Sequence, residues 1–484
     1  MKRTAATALA TLALGACVAG PPPKIATPAP VLPAQFLYAP APSDAASLAA
    51  LLPVADPAYD SLAAQALAGS PTLEQAIARI EAARAGADRA GAQRLPALGA
   101  NAGVEYSRTN PGQFGADLPP GIAFDTTRTA YSANLTASWD PDLFGRLRAE
   151  ERAALARVDA ASAAAAGVRL ALLAEIAGAV IDWRTLATRE ASLREDVDAA
   201  GELARLAGVR EEAGLSPGFD RVRAESAANA SRSRLAALAS ERARLTGRLV
   251  TLTAQPAQQV RAALSQIAPE ASLPQAPATL PSPLLANRPD VLTAQAELAA
   301  ADADLAATAA RRFPRITLSG VLGVLAFSPG EIFDEDSIVG SLGAALAAPL
   351  LDFGRIEAEI DGAAAEKRAA FAAYREAVYT ALGDAEAGYG LVAAADAEAA
   401  AAQAEADSAA RAARLAETRY RAGLADFLTV LEARRSADAS GERAAAALGR
   451  ARRARVLLWQ ALGGTANGAQ NGRIEDPPEP SDVM

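Results

Sequence analysis

The residues able to do chemistry in this chain are few. No histidine occurs among its 484 residues, which removes the commonest general base and the commonest metal ligand. The single cysteine, Cys17, excludes an intramolecular disulfide and any multi-cysteine metal site. Its surroundings give that cysteine a different chemistry. Lys2 and Arg3 start the chain, Ala5 to Leu14 is a short apolar stretch, and Leu14-Gly15-Ala16-Cys17 closes it with small residues. These are the marks of a secretory signal peptide over residues 1–16, too short to span a bilayer. Its end resembles a bacterial lipobox, in which the cysteine becomes the lipidated first residue of the mature protein. Acyl chains there would anchor by about 0.8 kcal/mol per buried CH₂. Val18 rather than Asp follows the cysteine, which fits sorting to an outer membrane.

Other chemistry is excluded by what does not accompany it. Asp352-Phe353-Gly354 spells a kinase motif, yet neither a Gly-rich phosphate loop nor a His-Arg-Asp catalytic loop goes with it. A cell-wall hydrolase would need a paired acid and base carboxylate, and the sequence nominates no such pair. A net charge of −9 argues against a nucleic-acid partner, whose phosphates are neutralised by Lys and Arg. The expectation is a protein that is not an enzyme and holds no cofactor and no metal.

What must position the remaining features is a duplication. Arg210 to Leu215 reads R-E-E-A-G-L and Arg419 to Leu424 reads R-Y-R-A-G-L, 209 residues on. Phe144-Gly145-Arg146 returns as Phe353-Gly354-Arg355 at the same offset, and Arg94-Leu95-Pro96 returns as Arg312-Phe313-Pro314, offset by 218. Repeats of this length are two copies of a large unit rather than a short-period solenoid.

Within each copy the hydrophobic period changes. Ser70 as N-cap and Pro71 at the first position open a helix with Leu73, Ala76, Ile80, Ala83 and Ala87 at helical spacing, ended by Pro96. The period then becomes two. Leu98, Ala100, Ala102, Val104 and Tyr106 alternate with small or polar residues, and so do Tyr131, Ala133, Leu135, Ala137 and Trp139. Between them lies a loop rich in Pro, Gly and Asp, from Asn110 to Asp125. After Phe144-Gly145-Arg146, helical spacing without proline runs to Glu212. At 1.5 Å per residue such a helix is about 90–100 Å long. Gly214 and Pro217 turn the chain and a second helix returns.

The expected organisation is α+β, with a tether rich in proline over residues 17–45 and a first repeat over 46–254. That repeat has strands at about 97–108 and 127–140 and long helices at about 147–212 and 220–252. A linker covers 255–283, and a second repeat covers 284–464, with strands at about 315–326 and 337–348 and helices at about 355–421 and 426–461. A tail over 465–484 is expected to be disordered. Four strands cannot close a membrane barrel, whose smallest size is about eight, so membrane-spanning strands would require several copies. Tyr106, Tyr131 and Trp139 near strand ends suit an interfacial girdle. Phe144 and Phe353 are expected to pack where strand turns to helix.

These residues together resemble the TolC-like outer-membrane efflux proteins, in the lipoprotein branch that serves resistance-nodulation-division pumps. The matching segments are Cys17 with its lipobox, Ser70-Pro71-Thr72-Leu73, Trp139-Asp140, Leu143-Phe144-Gly145-Arg146, Arg288-Pro289-Asp290, Phe313-Pro314, Asp352-Phe353-Gly354-Arg355, Tyr420-Arg421-Ala422-Gly423 and Ala461-Leu462-Gly463-Gly464. Their order, spacing and duplication carry the likeness over nearly the whole mature chain. The resemblance implies a homotrimer with a twelve-stranded β-barrel in the outer-membrane lipid and a long α-helical barrel in the periplasm. It implies a periplasmic adaptor (membrane fusion) protein docking on the turns Ala213-Gly214-Leu215 and Ala422-Gly423-Leu424, and an inner-membrane pump of the resistance-nodulation-division type. It also implies a periplasmic gate of inward carboxylates. By motif Glu432 takes one gate position, Thr429 stands where some members carry an Asp, and Asp426 is nearby. Arg210 and Arg421 either meet the adaptor or pair with helix carboxylates. The function implied is passive export of small molecules as the duct of a tripartite pump. The alternative is a lipid-anchored periplasmic coiled-coil scaffold or adaptor without a channel. Strands of about nine residues or more separate the two, because they fit tilted membrane strands.

Overall fold

The computed structural model describes residues 25–41, 47–110, 127–269 and 272–464. The signal peptide, Cys17, most of the first strand–strand loop and the tail from 465 lie outside the described residues. Two compact units emerge, and neither coincides with a repeat. One takes Met1–Pro28, Ile80–Ala160 and Gln295–Ala373, and the other Ala29–Arg79, Ala161–Ala294 and Tyr374–Met484.

The helices are α1 (Pro57–Gly69), α2 (Pro71–Ala92), α3 (Arg146–Glu212), α4 (Gly218–Thr253), α5 (Ala257–Leu264), α6 (Pro281–Asn287), α7 (Pro289–Ala310), α8 (Arg355–Arg421) and α9 (Phe427–Ala461). The strands are β1 (Ala97–Arg108), β2 (Thr127–Trp139), β3 (Arg315–Ala326) and β4 (Ile338–Ala347). The boundaries between the two units fall inside α2, α3, α7 and α8.

The first unit is built on one antiparallel sheet in the order β1-β2-β3-β4, so β1 and β4 each have a single neighbour among the described residues. The register puts Leu98, Ala100, Ala102 and Val104 opposite Ala137, Leu135, Ala133 and Tyr131. Ala137, Leu135 and Ala133 continue to Gly320, Leu322 and Val324, and then to Leu342, Gly340 and Ile338. Because side chains alternate, this makes one face apolar across all four strands. The other face carries Asn101, Glu105, Ser132, Asn134, Thr136, Ser138 and Ser319. Gly323 is required here by space: a Cβ would lie 2.3 Å from the Ala133 carbonyl oxygen. The apolar face is not covered by the described residues, and Leu98, Leu135, Leu322 and Leu342 are all exposed.

Helical residues flank the sheet. Phe144 stacks on Phe313 with ring centroids 4.9 Å apart and planes 9° from parallel. Its repeat counterpart Phe353 is 91% exposed, so within the single chain the expected packing where strand turns to helix is made by Phe144 and not by Phe353. Its backbone is left-handed (φ 52°), and the residue before it, Asp352, accepts from the Ile356 amide at 2.9 Å to start α8. Trp139 donates its indole N–H to the Arg94 carbonyl at 2.9 Å. Arg157 of α3 pairs with Asp304 of α7, joining helical segments of the two repeats, and Lys367 of α8 pairs with Asp302 of α7 within the second repeat.

The second unit holds the main core. Leu172, Ile176 and Val180 of α3 and Tyr389 of α8 pack with Leu458 and Trp459 of α9 and with Leu62, Leu249, Leu264 and Leu284. An apolar stretch of α3 is long enough to cross a membrane by composition, but half of it is buried in the protein and it serves as core. The short helices α1 and α5 are held by one carboxylate. Asp56 caps α1 by accepting from the Ala58 amide (2.9 Å) and accepts two hydrogen bonds from Arg184, each 2.8 Å. Arg184 also donates to the Leu264 carbonyl at the end of α5 (3.0 Å). Extended chain is strapped on by Glu386, which accepts from the Leu37 and Tyr38 amides, and by Tyr389, which hydrogen-bonds Thr279 and Pro277.

Candidate functional site: two duplicated helix turns

The turns that join α3 to α4 and α8 to α9 are the same structure built twice. In the first, Leu215 N–H donates to the Arg210 carbonyl (2.8 Å) and Gly214 N–H to that of Glu211 (2.9 Å). In the second, Leu424 N–H donates to Arg419 (2.8 Å) and Gly423 N–H to Tyr420 (3.0 Å). Gly214 at φ 69° and Gly423 at φ 73° supply the left-handed residue that this helix ending requires. The closing hydrogen bonds turn each helix back within three or four residues and leave a leucine outside. Leu215 is 70% and Leu424 69% exposed. Ala213 and Ala422 are exposed beside them.

Beneath the turns the hairpins are pinned by charge and ring contacts. Arg221 of α4 reaches across to Glu211 of α3 at 2.7 Å, and Arg434 of α9 reaches Glu417 of α8 at 2.7 Å. Arg421 also pairs with Glu417 at 2.5 Å, and the Arg210 guanidinium lies over the Tyr420 ring at 4.8 Å. Both arginines are thus engaged within the chain, Arg421 by a helix carboxylate and Arg210 by an aromatic face. Tyr420 in turn meets Phe427 edge-on, over a small core of Leu203, Ala207, Val430 and Leu431.

The three residues nominated for a gate differ in their freedom. Asp426 is the N-cap of α9, its carboxylate accepting from the Thr429 amide at 2.7 Å. That backbone hydrogen bond holds its carboxyl below the usual range. Thr429 is exposed and supplies the capped amide. Glu432, one turn further on, is exposed and makes no hydrogen bond or ion pair among the described residues.

One carboxylate pair was not legible from spacing. Asp196 of α3 hydrogen-bonds Asp438 of α9, with Arg234 of α4 3.7 Å from Asp438 and also paired with Glu442 at 3.4 Å. Burial, followed by the charge of Asp438, pushes the Asp196 carboxyl up to about 7. A cavity of about 360 Å³ opens beside the pair, walled by Leu203, Phe427 and Leu431 and fringed by Arg434 and Arg435. The partners lie on different repeats, 242 residues apart, so no pattern along one helix could have paired them. Among the described residues no group of three or more His, Cys, Asp or Glu is placed to hold a metal ion.

The sequence profile of the outer membrane efflux protein family matches residues 62–255 and 280–464. The chain belongs to the outer membrane efflux protein family. It is 34% identical over 462 residues to the pyoverdine export outer membrane protein OpmQ of Pseudomonas aeruginosa PAO1, covering 94% of this chain and 95% of that protein. Among solved structures it is similar to the outer-membrane channel OprN, with a TM-score of 0.83 at 28% identity over 92% of this chain and 99% of that one. It is also similar to the open state of the MtrE outer membrane channel of Neisseria gonorrhoeae, with a TM-score of 0.79 at 25% identity, covering 91% and 97%. As a member of this family the protein is an α+β outer-membrane efflux channel and not an enzyme, and its relatives are outer-membrane components of efflux pumps. The reading as a scaffold without a channel falls with that finding. Strands of 10 to 13 residues with an uncovered apolar face agree with it.

Proposed function

We propose that three copies of the chain close their sheets into one twelve-stranded barrel in the outer membrane and bundle their hairpins into a periplasmic tunnel. The observation that carries this reading is the sheet itself. Among the described residues it leaves two unpaired edges and a continuous apolar face, and neither is tolerable in lipid unless the edges meet other strands. Substrates pass passively, because the chain offers no chemistry; the energy comes from an inner-membrane pump of the resistance-nodulation-division type. The exposed turns Ala213-Gly214-Leu215 and Ala422-Gly423-Leu424 are the docking points for a periplasmic adaptor, which opens the tip. Lipidation of Cys17 adds an anchor in the outer membrane.

Glu432 carries the gate. It is the unpaired carboxylate just past the second turn, whereas Asp426 is committed to its cap and shapes the entrance through Thr429. Three copies of Glu432 about one axis repel one another and draw cations, as charged rings do in channels. The test is single-channel recording of the purified protein in a planar bilayer at both polarities. The expected record is a small cation-selective conductance that grows in Glu432→Ala. An unchanged conductance and selectivity in the variant would remove Glu432 from the gate while keeping the duct.

A further inference from the structure

The proposed barrel has one kind of seam that a single chain does not contain, where β4 of one copy meets β1 of the next. The chain nevertheless contains the information to set its register, because the duplication is exact enough to be checked. Moving β1 forward by 218 residues and β2 forward by 209 turns the β1–β2 pairs into pairs between β3 and β4. Leu98↔Ala137, Ala100↔Leu135 and Ala102↔Ala133 become Ile316↔Leu346, Leu318↔Ala344 and Gly320↔Leu342, and all three occur in the structure. The two hairpins therefore share one register without slippage.

The same operation applies to the junction between repeats. Inside the chain β2 meets β3 through Trp139↔Leu318, Ala137↔Gly320, Leu135↔Leu322 and Ala133↔Val324. Advancing β2 by 209 residues gives β4 and its exit, and moving β3 back by 218 gives β1. We infer that β4 of one copy pairs antiparallel with β1 of the next through Ala348↔Ala100, Leu346↔Ala102, Ala344↔Val104 and Leu342↔Tyr106. This inference rests on the three-copy reading above and goes beyond it by fixing which residues meet.

Two features of the structure agree with it. The first is parity. A slip of one residue would turn β1 over, but the inferred pairs join Leu346, Ala344 and Leu342 to Ala102, Val104 and Tyr106, which are all residues of the apolar face. The face thus continues across the seam. The second is Phe353. Within the chain, Phe144 after β2 stacks on Phe313 before β3. At the seam the equivalent positions are Phe353 after β4 and Leu95 before β1, and both are exposed in the single chain, as are Leu350 and Leu351. The next copy covers this otherwise unexplained apolar cluster at the point where strand turns to helix.

The test is cysteine cross-linking in the full-length protein purified in detergent. The doubly substituted Leu346→Cys/Ala102→Cys chain and the Ala345→Cys/Gly103→Cys chain place cysteines on successive pairs, one of the wider and one of the narrower antiparallel kind. Mild oxidation is expected to give covalent dimers and trimers from at least one of them. Each single variant should give none, and the shifted combinations Leu346→Cys/Ala100→Cys and Leu346→Cys/Val104→Cys should give at least tenfold less. A trimer by native mass that cross-links best in a shifted combination overturns the register and leaves the three-copy barrel standing. A species that is monomeric by native mass overturns both.

Discussion

Leu342 is the residue on which the assignment of the apolar face can be tested most directly. It lies at the middle of β4, opposite Gly320, and is 94% exposed in the single chain. If its face meets lipid, Leu342→Arg places a guanidinium near the bilayer midplane. The cost for Arg on the lipid face of a barrel at that depth is about 2–4 kcal/mol. With three copies closing one barrel, the penalty becomes about 6–12 kcal/mol for the assembly, or a loss of roughly 30- to 700-fold in the folding equilibrium per chain. The neighbouring Ser341 points to the other face, opposite Val321, so Ser341→Arg is the internal control and should cost a fraction of this. The measurement is equilibrium urea unfolding in lipid vesicles, with assembly followed by mobility of the unheated protein on gels. A Leu342→Arg protein as stable as the parent, or one more stable than Ser341→Arg, would refute the assignment of faces and with it the orientation of the barrel wall.

Two further outcomes are expected from the second unit. Asp56→Ala removes the cap of α1 and strands the largely buried Arg184, at a combined cost of about 2–4 kcal/mol once the remaining exposure of the arginine is allowed for; hydrogen exchange should rise together in Pro57–Gly69 and Ala257–Leu264, with Asp56→Asn intermediate, and protection unchanged in both would contradict the shared role. For Asp196, a carboxyl raised from 3.8 to about 7 means the packed state binds more protons than the separated one, so packing of α3 on α9 is strongest in acid and weakens as pH rises from about 4 to 7. Exchange of amides around Asp196 and Asp438 should therefore accelerate across that window and level off above it; Asp196→Asn should flatten the profile, and an unaltered slope in that variant would assign the dependence elsewhere.

The strand pattern was legible because strict alternation from Tyr131 to Trp139 admits no helical reading, and the structure has β2 over Thr127–Trp139. The turns were legible for a different reason: Gly214 and Gly423 mark left-handed backbone wherever a long helical pattern stops. Helices α1 and α5 were not read. Each is short, and what holds them is Arg184, an interaction between residues 128 and 80 positions apart. Phe353 has no such packing in the single chain for a related reason, since the partner of its counterpart Phe144, Phe313, comes from the other repeat. The gate nomination came from motif position alone, and the structure separates its members by what each carboxylate is bound to. Asp426 is occupied by a helix start, while Glu432 is left unpaired among the described residues.

The linear strand order has a consequence for genetics. Because β1 and β4 are both ends of the sheet, every copy in a ring of three must offer two sound edges, and one faulty edge leaves the whole ring unclosed. A proline in β4, where it deletes a ladder donor, is therefore expected to be dominant rather than recessive. In a cell making equal amounts of normal and altered chains, random assembly leaves only about one ring in eight free of the altered chain. Loss of export in the presence of an intact gene copy would be the signature of that edge.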